Sequence, residues 1–188
     1  GLWILKKYGL IFLLVCFQGF IGWYMVSSGL INRVDVSHYR LSLHLVTAFI
    51  ILSVVFWNFL KLTKIQTHYA SININLIKFF LFLLFLQLII GAFVSGMDAG
   101  KIYNTWPLMG LSYFPDDSQF IDFLNVSVFD NPSIVQFIHR NLAYLIVGFY
   151  IYILFFIIKD QNKIFRIPVV FMGASLFLQI ILGIFTIL

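Results

Sequence analysis

The chain has 188 residues, of which 62% are hydrophobic and 10% are charged, and its formal net charge is +5. Soluble domains are about 45–50% apolar and about 25% charged, so this composition excludes an ordinary soluble protein. The positive charge alone would suit a nucleic-acid partner, but the cations lie in short segments between apolar runs, so we expect no such partner. The single cysteine, Cys16, lies inside an apolar run, which excludes an internal disulfide.

Five apolar runs are long enough to cross a bilayer, which takes roughly 20 helical residues. Lipid offers no partner to an unpaired backbone group, so we predict helices, and the runs are too uniformly apolar for barrel strands. The chain starts at Gly1 and stops at Leu188 inside an apolar run, which favours a fragment of a longer protein. The predicted fold is an all-α integral membrane bundle with transmembrane helices at about 8–26, 38–60, 76–97, 134–158 and 167–188.

The charges between these runs differ in sign on the two sides of the predicted bundle. The positive-inside rule makes the side with eight of the twelve cations cytoplasmic. The side with six of the seven acids is then periplasmic, or lies in the equivalent compartment of an organelle. We therefore expect a multi-pass protein of the bacterial inner membrane. The cytoplasmic cations are Lys6, Lys7, Lys61, Lys64, Lys78, Lys159, Lys163 and Arg166, and the six periplasmic acids are Asp35, Asp98, Asp116, Asp117, Asp122 and Asp130.

One connection, residues 98–133, is long for a helical bundle. Connections beyond about 12–15 residues are usually functional or disordered. This one contains Asn104-Thr105-Trp106-Pro107 and several further aromatic residues, which favours an ordered cap on the periplasmic face. A variable surface loop is the simpler alternative.

Three of the predicted helices share a Gln-x-x-x-Gly pattern. The two residues lie one turn apart on the same helix face, and the glycine allows a backbone or a flat ligand to approach closely. Ordinary helix packing would explain a single copy, but three copies at matching depth favour a repeated site. The copies are Gln18 to Gly22, Gln87 to Gly91 and Gln179 to Gly183.

The two helices that follow the first two copies each carry a histidine. His44 and His139 lie about six residues from their predicted helix starts, or about 9 Å deep at 1.5 Å per residue. A histidine within a membrane is functional by default. The chain contains no Glu and no converging ligand cluster, which disfavours zinc, whereas a heme iron needs only one or two axial ligands. A histidine satisfied by the neighbouring helix is the alternative reading.

Three polar side chains near these histidines suit heme propionates. Arg40 lies one turn before His44 on the same face, and Arg140 directly follows His139. Arg140 would otherwise extend to the lipid headgroups. Gln136 lies three residues before His139 and would hold a propionate or a water beside the ligand.

Four blocks of sequence resemble the heme A synthase family, most closely its alphaproteobacterial and mitochondrial branch. The first two are Gln18-Gly-Phe-Ile-Gly-Trp-Tyr-Met-Val-Ser-Ser-Gly29 and Val36-Ser-His-Tyr-Arg-Leu-Ser-Leu-His44. The others are Gly91-Ala-Phe-Val-Ser-Gly-Met-Asp-Ala-Gly100 with Tyr103-Asn-Thr-Trp-Pro, and Gln136-Phe-Ile-His139-Arg-Asn-Leu-Ala-Tyr144. Together they cover nearly the whole chain.

The resemblance implies a protein of eight helices in two four-helix halves, of which this chain would supply helices three to seven. Residues 1–68 would complete the first half, and residues 69–188 would begin the second. His44 and His139 would each ligate heme iron, with partner histidines elsewhere in the protein, one of them on a helix after Leu188. This chain alone would then be inactive.

The family oxidises the C8 methyl of heme O to a formyl group, giving heme A for cytochrome c oxidase. The resemblance implies that His44 is catalytic at the substrate heme and that His139 ligates an electron-relaying heme b. Gln87, Gly91, Gln136, Arg40 and Arg140 would help to bind the two hemes. The expected partners are heme O delivered by heme O synthase, an electron donor, lipid and a second copy of the chain.

Three other functions would use a similar sequence. A diheme b-type electron-transfer protein would need the same paired histidines, and a transporter would need more intramembrane charge or broken helices. A purely structural membrane subunit would have no need of the repeated histidines.

Overall fold

The computed structural model describes residues 2–27, 36–63, 72–160 and 163–186. The chain divides by its contacts into two compact units, residues 1–67 and 68–188. The five long helices are α1 (Leu2–Ser27), α2 (His38–Leu62), α3 (Ile74–Gly96), α4 (Pro132–Lys159) and α5 (Arg166–Phe185).

The all-α membrane fold predicted from the sequence is confirmed. Five helices are long and apolar enough to cross a membrane, and the described part of the chain contains no strand, only an isolated bridge between Met109 and Ser112. The predicted end of the fifth helix at 187–188, the boundary at 68/69, and the charged residues Asp35 and Lys64 lie outside the described residues.

Two helices start about two residues before their predicted positions because an asparagine caps each start. The Asn73 side chain accepts a hydrogen bond from the Asn75 amide at 2.9 Å. The Asn131 side chain accepts from the amides of Ser133 and Ile134 at 3.0 and 3.2 Å, and Pro132 occupies the first turn. These bonds satisfy donors that have no partner within the helix.

The first unit is a pair of helices, α1 packed against α2. Few of its side chains are buried, Ile21 and Ser42 among them, whereas large apolar residues such as Phe12, Trp23 and Trp57 are exposed. Apolar side chains that face outward over the whole length of a helix are typical of a lipid-facing surface.

In the second unit, α4 packs against both α3 and α5. Its core joins Phe80, Leu83 and Ile90 of α3 to residues along the whole of α4 and to Val169 of α5. The contributing residues of α4 are Val135, Leu142, Ile146, Ile153 and Ile157.

Residues 97–131, hereafter the long connection, join α3 to α4. They form short 3₁₀ turns at Ala99–Lys101, Phe120–Leu124 and Val128–Asp130. A tight turn at Gly110 has a φ of +86°, a conformation that suits glycine, and Asp116 accepts a hydrogen bond from the next amide, Leu111, at 2.6 Å. Two of these turns, Ala99–Lys101 and Val128–Asp130, pack on α4.

Candidate functional site

In the first helix pair, the Gln-x-x-x-Gly motif of α1 holds the histidine of α2. The side-chain nitrogen of Gln18 lies 3.2 Å from Nδ1 and 3.3 Å from Nε2 of His44. The same nitrogen donates to the backbone carbonyl of His44 at 2.9 Å. An amide nitrogen has two hydrogens, so it can bond the ring and the carbonyl together.

The second helix pair repeats this arrangement. The side-chain nitrogen of Gln87 on α3 lies 3.2 Å from Nε2 of His139 on α4. It also donates to the backbone carbonyl of His139 at 3.3 Å. His44 lies six residues after the start of α2 and His139 seven after the start of α4, so each histidine occupies a similar position along its own helix.

The glycine of each motif makes room for the imidazole. A Cβ added at Gly22 would lie 3.1 Å from Cε1 of His44, and one at Gly91 would lie 3.2 Å from Cε1 of His139. Both distances are shorter than the 3.5–4.0 Å of an ordinary carbon contact. From the sequence we expected these glycines to let a backbone or a flat ligand approach closely; in the structure the edge of the histidine ring fills that space.

The third copy of the motif lies on α5. Gln179 is exposed, and a Cβ added at Gly183 would meet nothing within 4 Å. The structure thus brings two of the three copies to a histidine.

Within the part of the chain that the structure describes, several buried polar atoms at the two histidine sites have no hydrogen-bond partner. They are Nδ1 of His139 and the side-chain oxygens of Gln18 and Gln87. Buried polar atoms are nearly always satisfied, and the exceptions often mark a functional site. Among the described residues, His139 therefore has one ring nitrogen beside the Gln87 amide and one without a hydrogen-bond partner.

Two residues that the sequence suggested for heme propionates bond the long connection in the structure. Gln136 is fully buried, and its amide nitrogen donates to the carbonyls of Tyr103 at 2.8 Å and Gly100 at 3.3 Å. Arg140 donates to the carbonyls of Tyr103 at 2.7 Å and Thr105 at 2.8 Å. These four bonds attach the long connection to α4 within one turn of His139.

Arg40 has a different partner in the first pair. Its guanidinium carbon lies 5.0 Å from the centre of the Tyr24 ring, which is within the range of a cation–π contact. Arg40 and His44 are one turn apart on α2, so the cation and the imidazole share one face of the helix.

A second set of polar contacts at the long connection was not found from the sequence. Ser133 donates to Asp117 at 2.6 Å, and the Asp117 amide donates to the Tyr103 hydroxyl at 3.4 Å. Burial raises the pKa of Asp117, but the hydrogen bonds from Ser133, Ser118 and Tyr103 outweigh it and hold that pKa below its ordinary value. Burial also raises the pKa of Tyr103. The only sequence signal for the contact with Asp117 was Ser133, which directly follows the Asn131-Pro132 start of α4.

Aromatic residues add two more contacts between the long connection and α4. The Trp106 indole donates to the Tyr144 hydroxyl at 2.7 Å, and the Tyr113 hydroxyl donates to the Asn141 side chain at 2.5 Å. Tyr144 and Asn141 belong to the sequence block that follows His139, but their spacing alone did not indicate these partners.

The donor set limits what the sites can bind. Across residues 2–27, 36–63, 72–160 and 163–186, no group of three or more His, Cys, Asp or Glu side chains could hold a metal ion. A lone imidazole on an apolar helix suits a metal that brings its other ligands with it, as the iron of a prosthetic group does.

Comparison with known proteins places these features in a family. The cytochrome oxidase assembly protein family matches residues 3–188. The heme A synthase of Pelagibacter ubique (strain HTCC1062) is 49% identical over 183 residues, covering 97% of this chain and 54% of that protein. The heme A synthases of Wolbachia pipientis wMel and Rickettsia bellii (strain RML369-C) are 42% and 37% identical, over 91% and 97% of this chain and 48% and 55% of their own lengths.

This chain therefore spans about half the length of the curated relatives that it matches. No solved structure matches it. The match extends through both Gln-x-x-x-Gly and histidine pairs, since it begins before Gln18 and ends beyond His139. The chain belongs to the heme A synthase family of cytochrome oxidase assembly proteins.

Proposed function

We propose that the protein containing this chain oxidises the C8 methyl of heme O to a formyl group, producing heme A for cytochrome c oxidase. The observation that carries this proposal is the 49% identity to a heme A synthase over 97% of the chain. That similarity includes both helix pairs in which an imidazole is held by a glutamine and a glycine.

The residues present fit a heme. The imidazole of His139 lies on an apolar helix, and among the described residues its buried Nδ1 has no hydrogen-bond partner, so this ring could serve as a ligand to a heme iron. We assign His44 to the substrate heme O and His139 to a heme b that relays electrons. This assignment rests on the family's two-heme scheme and on the repeated geometry.

A bound heme iron supplies the redox chemistry of methyl oxidation. The chain's own residues hold and orient the macrocycles. The imidazoles of His44 and His139 would hold the two irons, and the apolar helices would keep water away from them.

The cations are assigned to the propionates. An arginine stacked on an aromatic face keeps its in-plane donors available for a carboxylate, so Arg40 on Tyr24 remains suited to this role. Arg140 has N–H groups beyond the two that bond Tyr103 and Thr105. Both amide hydrogens of Gln136 go to backbone carbonyls, so we assign Gln136 to holding the long connection beside His139.

We also propose where the protein lies and what it meets. Residues 1–68 and 69–188 would belong to successive four-helix halves of an inner-membrane protein, with both histidines and the acidic long connection on the periplasmic side. The excess of cations on the opposite side supports this orientation. Heme O from heme O synthase, an electron donor and a second copy of the chain are the proposed partners.

The test is production of heme A by the full-length protein in cells that make heme O and lack their own heme A synthase. Extracted hemes would be identified by mass spectrometry, with a His44→Ala variant as the inactive comparison and His38→Ala as the matched control. We expect heme A from the wild type and from His38→Ala. Bound heme b with heme O unconverted, in folded protein, would instead favour a diheme electron-transfer protein.

A further inference from the structure

We propose that Gln18 and Gln87 are positioning residues, each of which sets the orientation of one heme-ligating histidine on the next helix. This inference rests on the proposed function, because it assigns the glutamines a role toward axial ligands. It goes further in stating that the Gln-x-x-x-Gly motif and the histidine form one device, present once in each helix pair.

The device works through a single amide nitrogen that reaches two acceptors on the same residue. In the second pair, the Gln87 nitrogen lies 3.2 Å from the ring Nε2 and 3.3 Å from the carbonyl oxygen of His139. The carbonyl bond fixes the height of α4 against α3, and the ring bond fixes the rotation of the imidazole. A side chain that packed without donors would fix neither.

The glycine one turn further along limits the position of the ring from the other side. Cβ atoms at Gly22 and Gly91 would lie 3.1 and 3.2 Å from the Cε1 atoms of their histidines. By contrast, Gly19 on α1 and Gly148 on α4 have nothing within 4 Å of an added Cβ. The chain therefore contains glycines that touch a histidine and matched glycines that do not.

The bond to Nε2 also determines which nitrogen of His139 carries the proton. A neutral imidazole has one N–H and one lone pair, and the Gln87 amide donates to the lone pair of Nε2. The proton of the heme-free protein is then on Nδ1. A heme iron would take the lone pair of one ring nitrogen, and the bond from Gln87 to the His139 carbonyl would still hold the histidine in place.

The experiment uses the full-length protein in lipid nanodiscs, loaded with heme. Gln87→Met keeps the length of the side chain and removes its donors, and Gly91→Ala pushes on the ring. Both should shift the midpoint potential and the electron paramagnetic resonance signal of the heme held by His139. We expect heme affinity to fall about 10- to 100-fold, as for other changes that disturb a ligand's support.

The first pair supplies the reciprocal variants. Gln18→Met and Gly22→Ala should alter the other heme, whereas Gly19→Ala and Gly148→Ala should alter neither. Unchanged potentials and resonance signals in folded Gln87→Met would overturn the proposal and leave the glutamine a packing role alone. An effect of Gly148→Ala as large as that of Gly91→Ala would overturn it as well.

A readout on the heme-free protein separates this inference from the proposed function. In ¹⁵N-histidine spectra, wild-type His139 should show the Nδ1–H tautomer with a hydrogen-bonded Nε2, and Gln87→Met should shift that resonance. If the wild-type protein binds no heme but Gln87→Met still shifts the resonance, Gln87 positions the histidine and the proposed function is refuted. No shift would refute the device itself.

Discussion

The helix pairs α1/α2 and α3/α4 share the same glutamine, glycine and histidine but differ in what surrounds them. In α3/α4, Gln136 and Arg140 flank the histidine and bond the backbone of the long connection. In α1/α2, the flanking cation is Arg40, which stacks on Tyr24 of the neighbouring helix. The support of the imidazole is therefore the same in both pairs, although the contacts at the end of each pair differ.

The two pairs also differ in how much of their surface is buried. Helices α3 and α4 contribute most of the buried core of the second unit, whereas α2 has a single buried residue, Ser42. The imidazole support in α1/α2 therefore persists with very little core around it. Local hydrogen bonds and the absence of a Cβ at Gly22 carry it instead.

Removal of each histidine should produce the largest difference between the two helix pairs. His139→Ala should abolish the heme b spectrum of the full-length protein, and His44→Ala should retain heme b but stop conversion of heme O. Loss of a direct ligand should lower heme affinity by more than the 10- to 100-fold that loss of a supporting residue causes. Absorption spectra of the purified variants and mass spectrometry of their hemes check this. Identical defects in both variants would contradict the division of roles.

The next largest effect should come from Arg140→Gln, which removes the bonds to the carbonyls of Tyr103 and Thr105. Hydrogen bonds to a charged group contribute about 1.5–3 kcal/mol each at most, less where water competes. Hydrogen–deuterium exchange of residues 97–131 should rise while exchange in α3 stays constant. Unchanged exchange in the long connection would show that Gln136 and the aromatic contacts suffice to hold it.

Most of the fold follows from the sequence because long apolar runs leave few alternatives in lipid. The repeat also identified the elements that meet, since Gln18, Gln87 and the two histidines recur at fixed spacing. Spacing could not show that the glutamine would bond the histidine itself. That contact depends on the packing of one helix on the next, which periodicity along a single helix does not report.

The roles of Gln136 and Arg140 show a second limit. Both lie one turn or less from His139, so proximity in sequence favoured a role at the heme. Their bonds to Tyr103 depend on where a connection of more than 30 residues folds back, which has no periodic signal. Residues in irregular segments are placed by specific contacts, and the sequence does not rank these contacts.

A smaller, pH-dependent effect on stability should appear at Asp117 in the long connection. The described residues of α1/α2 include no counterpart of this connection. Its pKa in the folded protein lies below the ordinary 3.8, so its stabilising contribution is complete above that pH and is lost as the pH falls through the folded value. Proteolysis of the long connection should accelerate below about pH 3.8, and Asp117→Asn should remove this step. Asp98→Asn is the control, because the exposed Asp98–Lys101 pair contributes little.

The smallest effect should come from Arg40→Gln, the counterpart of Arg140→Gln in the other pair. It removes the cation–π contact with Tyr24, which is worth about 0.5–1 kcal/mol at an exposed site. The thermal stability of heme-free protein should therefore change little. In heme-loaded protein, the same variant should weaken heme O binding if Arg40 also pairs with a propionate. Arg40→Lys separates the two contributions, because it keeps the charge but loses the planar face. A stability loss equal to that of Arg140→Gln would show that α1/α2 depends on its cation as much as α3/α4 does, and the two pairs would then differ less than their contacts indicate.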